Sequence, residues 1–327
     1  MITLQEEFSR LEFAEPRHFR NLTLLPLLRA AAAPEPGYLL LEEAIREGMA
    51  RVTELNGGGS VPELRFENNT ARPVLLVDGE ELIGAKQNRV LNLTVLAPAK
   101  QVTVIPVACV EAGRWHMQTP DFQPAPHVMY SRARAARAAH VTASMRMCGT
   151  RQADQSAVWD AIAQKASRME APSPTGAMSA IYERHAISVE EYVRAFAWQE
   201  RQAGLVFAIC GRPLGLDLFD HPATMRSLFP KLVRSYTLDA LDAPEGKTGI
   251  ASRQTMSEFL TSVAAAQSFA QPAVGLGKDV RFSGNAVSGA ALWAEERYVH
   301  VCAFAANGQA ESGGVHTRIS RPTRRRI

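Results

Sequence analysis

A chain of 327 residues with 46% hydrophobic content carries enough apolar side chain to bury a core, which excludes a disordered linker or tail. Lys and Arg number 36 against 33 Asp and Glu, so a net charge of +3 gives no global field that would mark nucleic acid or a membrane surface as the main partner. Met1 to Glu7 show no basic leader with an apolar core, and no run of about eighteen apolar residues occurs, so a soluble cytoplasmic protein is expected.

Along the chain, Asn21 to Leu28 and Leu64 to Glu67 read as strands and Glu42 to Met49 as a short helix. Asn56 to Ser60, with three consecutive glycines, reads as a flexible loop. Val74 to Val77 is an apolar run followed by Asp78-Gly79, a pair suited to a two-residue hairpin turn, so Glu80 and Glu81 are expected to open a returning strand. Arg89 to Leu96 alternates polar Asn92 and Thr94 with apolar Leu91, Leu93 and Val95. After Pro98, the run Val102 to Ile105 resumes as a strand, which makes a second hairpin.

Pairing Leu96 with Gln101 or Val102 sets Arg89 opposite Ala108 or Cys109 and brings Glu111 level with Lys86 and Gln87, because antiparallel partners sum to a constant. Arg89 shares its face with Leu91, Leu93 and Val95 and so enters the apolar side of the sheet at its end. A guanidinium buried there needs a carboxylate or an anionic ligand, and Glu81 and Glu111 are the nearest carboxylates. Two readings stand side by side: a structural ion-pair network at a sheet edge, or a site.

Cys109, Cys148, Cys210 and Cys302 are widely spaced and form no zinc signature, so reduced thiols are expected. Cys109, near Arg89, is the least implausible nucleophile among them. Between Asp121 and Asp154 no acidic residue occurs while Arg132, Arg134, Arg137, Arg146 and Arg151 accumulate with His127 and His140. This segment reads either as a phosphate-handling flap, since arginine forks match phosphate oxygens, or as a solvated connection.

From Asp154 the pattern turns helical, over Gln155 to Met169, Ala177 to Glu183 and Val189 to Arg201. Leu205 to Cys210 and Leu214 to Phe219 read as two strands around Gly211-Arg212-Pro213. Asp220 is placed to cap a helix running through Met225, Leu228, Leu232 and Tyr236. Met256 to Gln267 is a further helix, and Val280 to Phe282, Ala291 to Ala294 and Val299 to Phe304 return to strand, with His300 read as a satisfied core histidine ahead of a ligand-contacting one. The basic, proline-interrupted tail reads as disordered, with weak contacts to polyanions such as nucleic acid. The expected fold is α+β: a β-rich part over 1–152 built of antiparallel hairpins as a sandwich or distorted barrel, a helical part with completing strands over 153–316, and a basic tail over 317–327. One continuous domain is an open alternative.

Val77 to Arg89 (Val-Asp-Gly-Glu-Glu-Leu-Ile-Gly-Ala-Lys-Gln-Asn-Arg), Cys109 to Trp115 and Gly215 to Asp220 together resemble the ARG and rhodanese-phosphatase-associated protein domain, a poorly characterised bacterial and archaeal family, over nearly the whole chain. The resemblance carries no catalytic residues. The family's association with ADP-ribosylglycohydrolase and phosphatase-like proteins implies NAD-derived or ADP-ribosylated metabolites.

Two function classes follow. In the first, a small anionic nucleotide-type ligand is bound or processed at the charged hairpins: Lys86, Arg89 and Arg114 hold phosphate, Glu81 and Glu111 serve ribose hydroxyls or general-base chemistry, Trp115 stacks on a base, and Gln87, Asn88 and Asp217 complete the binding set. In the second, the protein is a noncatalytic scaffold whose charged hairpins stabilise a partner interface. A nucleophile elbow, dinucleotide fingerprint and P-loop are all missing, and cofactor, metal and oligomeric state are not legible.

Overall fold

The computed structural model describes residues 1–30, 35–55, 62–244 and 246–306. The glycine loop at Asn56 to Ser60 and the basic tail at 317–327 lie outside the described residues.

The first third of the chain holds α1 (Leu4–Phe8), β1 (Leu11–Phe13), β2 (Arg17–Phe19), β3 (Leu22–Arg29), β4 (Leu39–Leu40), α2 (Leu41–Arg46), β5 (Ala50–Glu54), β6 (Glu63–Asn68), β7 (Val74–Leu76), β8 (Glu80–Gly84), β9 (Arg89–Leu91), β10 (Val95–Ala97) and β11 (Gln101–Cys109). The middle holds β12 (Phe122–Val128), α3 (Ser131–Cys148), α4 (Gln155–Arg168), α5 (Ser179–Arg184) and α6 (Ala186–Ala195). The last part holds β13 (Gln202–Ile209), β14 (Arg212–Phe219), α7 (Pro222–Leu241), α8 (Arg253–Ala264), β15 (Gln267–Pro272), β16 (Lys278–Ser283), β17 (Val287–Ala294) and β18 (Arg297–Ala305). The fold is α+β, and of the sandwich and the distorted barrel expected as alternatives for the first half, a closed barrel is present.

Three sheets organise these strands. A nine-stranded antiparallel sheet runs β1-β3-β13-β14-β18-β17-β16-β15, with β2 also on β3, so strands from the first 30 residues sit beside strands from beyond residue 202. β5, β6, β8, β9, β11 and β12 close into a barrel, and β10-β7-β4 form a small sheet between the two. β13 is buried along its whole length because both its faces are covered. Leu205, Phe207 and Ile209 join a core with Met225, Leu228, Leu232 and Tyr236 of α7, while Val206 and Ala208 join Leu4 and Phe8 of α1 and Met256, Leu260 and Val263 of α8. Val52, Leu64, Phe66, Leu82, Leu91, Ile105, Val107 and Phe122 fill the barrel.

Several expectations are corrected. Asp78-Gly79 does form a tight turn, with Glu80 N–H donating to Val77 C=O at 3.1 Å, but only Gly79 takes a positive φ (84°) and the flanking strands do not pair. β7 pairs with β10 and β4, whereas β8 pairs with β9 and β12, so the turn carries the chain from one sheet into another. The second hairpin keeps its register at one end only: Arg89 faces Cys109 and Leu91 faces Val107, but Gln101 to Pro106 pair with β6. The arginine-rich segment is neither a flap nor a solvated connection. Arg132, Arg134, Arg137, His140 and Arg146 lie on α3, whose buried stripe Arg134, Arg137, Val141 and Met145 share at helical spacing, while His127 is in β12 and Arg151 follows the helix. Asp220 does not cap α7, since His221 does, its ring nitrogen accepting from Ala223 N–H. Asp220 instead accepts from Tyr38 and Arg297.

Candidate functional site at the barrel end

Period-2 alternation in β9 decides what the site contains. Arg89, Leu91 and their partners Cys109, Leu82 and Val107 point into the barrel, whereas Val90 and its partners Ala108 and Glu81 point outward beneath α4 and α5. Arg89 therefore closes the barrel's end, and Glu81 lies on the opposite face of the wall.

The turn between β8 and β9 is held from inside by Arg114. Its Nη1 donates to Ala85 C=O at 2.7 Å and His116 C=O at 3.3 Å. Nη2 donates to Gly84 C=O at 3.2 Å and Asn88 Oδ1 at 2.9 Å, and Nε donates to Glu111 Oε2 at 2.8 Å. All its donor nitrogens are engaged within the chain. Glu111 Oε2 also accepts from Asn88 N–H at 3.1 Å, and Oε1 accepts from Thr175 Oγ1 at 2.7 Å. Burial would raise the Glu111 carboxyl, but the hydrogen bonds from Arg114, Thr175 and the Asn88 amide outweigh it and hold the group below the usual carboxylate range. A carboxylate so stabilised is a weak general base.

Glu81 is equally committed: Oε2 lies 2.6 Å from His127 Nε2, Oε1 accepts from Asn88 Nδ2 at 3.3 Å, and the His127 ring stacks on Tyr182 with centroids 3.8 Å apart. Gln87 Nε2 donates to Glu111 C=O at 3.0 Å. Its Oε1 accepts from Arg89 Nη1 at 2.8 Å and from the Cys109 thiol at 3.2 Å. Burial pushes the Cys109 thiol up, despite the Glu111 amide and the Arg89 charge, so this cysteine is a buried donor and not a thiolate nucleophile.

Arg89 differs from Arg114. Its side chain is 0% exposed, and among the described residues Nε and Nη2 find no acceptor. These two nitrogens form the side edge of the guanidinium, the edge that Arg281 uses to grip Asp279 at 2.7 and 2.9 Å. Desolvation lowers the Arg89 pKa, with Cys109 and Glu54 opposing it.

Trp115, 48% exposed, stands against this group, its ring centroid 5.6 Å from Arg89 Cζ and 5.4 Å from Lys86 Nζ. Glu54, at the end of β5, accepts from Lys86 N–H at 3.4 Å through Oε1, while its Oε2 is buried and has no partner among the described residues. A separate pocket of about 660 Å³ opens between α4 and residues 170–177, with Ala112 and Trp159 in its lining but not Arg89, Lys86, Trp115 or Glu54.

Asp217 lies elsewhere. It is fully buried in β14, accepting from Arg134 Nη1 and Nη2 at 3.0 and 2.7 Å and from Tyr236 at 2.5 Å, with His300 Nε2 at 3.1 Å. Burial would raise its carboxyl, and the Arg134 charge with the His300 contact holds it well below the usual range instead. Asp78 joins this network through Arg134 and Arg137. Glu54 was missed by sequence reasoning. Its position at the end of Val52-Thr53-Glu54 is a strand-like signal, but one too short to stand out before the glycine loop.

A family model matches residues 10–304, which take in this architecture from β1 to all but the last residue of β18. The chain belongs to the ARG and Rhodanese-Phosphatase-superfamily-associated Protein domain family. No curated protein and no solved structure matches it.

Proposed function

We propose that this protein binds a small anionic ligand of the phosphate-bearing, NAD- or ADP-ribose-derived type at the barrel end, with Arg89 as its anchor. The supporting observation is the completely buried guanidinium whose Nε–Nη2 edge has no acceptor among the described residues. Burying a charge without hydrogen-bond partners costs several kcal/mol, and an anion with two coplanar oxygens relieves that cost with a pair of charge-assisted bonds. Trp115 offers a half-exposed ring for stacking, and Lys86 adds charge at the mouth. Arg114, Glu81, Glu111, Gln87 and Asn88 act as the frame that holds the turn, and Asp217 supports the neighbouring sheet.

Thermal shift of the purified protein against NAD, ADP-ribose, ribose 5-phosphate and inorganic phosphate tests this. A ligand at about 100 times its Kd adds roughly 2.7 kcal/mol of stability. The shift should vanish in Arg89→Ala and be weakened in Arg89→Lys, which keeps the charge but loses the fork. No shift with any compound would move the weight to a noncatalytic scaffold.

A further inference from the structure

Glu54 and Arg89 reach the same end of the barrel from different strands. Phe122 of β12 is in register with both Val52 of β5 and Gly84 of β8, which sets the two residues beyond Val52 level with the turn that leads into Arg89. The Lys86 N–H bond to Glu54 Oε1 fixes that approach, and the Glu54 charge acts on the Arg89 guanidinium. Yet the two do not pair: Glu54 Oε2 and Arg89 Nε and Nη2 are all buried and without partners among the described residues. A buried acceptor-only oxygen calls for a donor, as the buried fork beside it calls for an acceptor.

We infer that Glu54 completes the site, and that the ligand is an anion carrying a hydroxyl donor close to its charged group: the anionic oxygens sit on the Arg89 edge and the hydroxyl donates to Glu54 Oε2. Sugar phosphates have this chemistry, and simple phosphate esters lack it. The inference rests on the anion-binding reading above and assigns hydroxyl recognition to Glu54, the carboxylate whose second oxygen is uncommitted, while those of Glu81 and Glu111 are engaged.

Isothermal titration of the full chain with methyl phosphate and ribose 5-phosphate tests it, in the wild type and in Glu54→Gln. The glutamine keeps the volume and can still accept from Lys86 N–H, but it presents a donor where Oε2 stood. Ribose 5-phosphate should bind the wild type at least about 10-fold more tightly than methyl phosphate, and in Glu54→Gln that ratio should fall to within about 2-fold while methyl phosphate binding persists. Persisting methyl phosphate binding shows that the variant site is folded. A ratio unchanged by Glu54→Gln, or one already near 1 in the wild type, overturns the role of Glu54 and leaves anion binding standing. A uniform gain for both ligands would mark Glu54 as a gate that competes for Arg89, and also overturns it. Absence of binding by both ligands in the wild type overturns the inference together with the reading beneath it.

Discussion

At the scale of single residues, two buried arginines of equal burial have opposite energetic meanings. Arg134 satisfies Asp217 with two bonds and Asp78 with a third, so removing it strands carboxylates in the interior. Among the described residues Arg89 donates to a single acceptor oxygen, Gln87 Oε1, and pairs with no carboxylate. Arg134→Met should therefore destabilise by about 3 to 5 kcal/mol, the usual consequence of breaking a buried pair. Arg89→Met should leave stability unchanged or raise it, by up to about 2 kcal/mol, since it exchanges an under-bonded cation for an apolar side chain. Urea unfolding of both variants checks this, and a loss of several kcal/mol in Arg89→Met would mean that the guanidinium serves structure and not a ligand. Alternation in the sequence already placed Arg89 on the apolar face, opposite Ala108 or Cys109, of which Cys109 is its partner. It could not show that Glu81 and Glu111 were claimed by His127, Arg114 and Thr175, because those partners come from a distant strand, a loop and a turn before α5.

At the scale of elements, the turn from β8 to β9 depends on Gly84. Its φ is +131°, a conformation that L residues rarely adopt, and a Cβ there would stand 2.5 Å from Thr119 Oγ1 and 2.7 Å from Asp121 C=O. Gly149, which ends α3 at φ +69°, would place a Cβ in open space. Gly84→Ala should lower stability by about 2 to 3 kcal/mol and weaken ligand binding, because Arg114 and Asn88 are set from this turn, whereas Gly149→Ala should stay near 1 kcal/mol. Equal losses in the two variants, measured by chemical denaturation, would contradict the steric argument. Elements with a strong local pattern were legible: the amphipathic α4, α7 and α8 and the apolar runs of the β13–β14 hairpin lie close to where the sequence puts them. α3 was not, since its buried stripe is made partly of arginines whose carboxylate partners are remote in sequence. β12 was not either, because Pro124 and Pro126 remove ladder donors and its register with β8 breaks between Pro124 and Val128.

At the scale of the whole molecule, the barrel, α3 and the nine-stranded sheet are joined by buried charge as well as apolar packing. Asp78 precedes β8, Arg134 and Arg137 lie on α3, and Asp217 and His300 are on neighbouring strands of the large sheet, so one ion network ties three parts of the chain that no local pattern connects. This sets a pH dependence. The carboxyls of Asp78, Asp217, Asp242 and Glu111 are all held below their ordinary values of 3.8 for Asp and 4.5 for Glu, in each case because arginine or lysine charges and hydrogen bonds outweigh burial. A group whose folded pKa is depressed contributes its stability in full above the unfolded pKa, and loses it as pH falls through the folded value, since the unfolded chain then binds more protons. The midpoint of urea unfolding should therefore feel little from these four groups between pH 7 and about pH 5, and should fall steeply from about pH 4 downward. In Asp217→Asn the midpoint should already be lower at pH 7, through the stranded Arg134, and the decline below pH 4 should be shallower than in the wild type. Parallel acid limbs in the two proteins would mean that Asp217 is not a principal carrier of the acid sensitivity, and that the pairing of α3 with the large sheet contributes little to holding the molecule together.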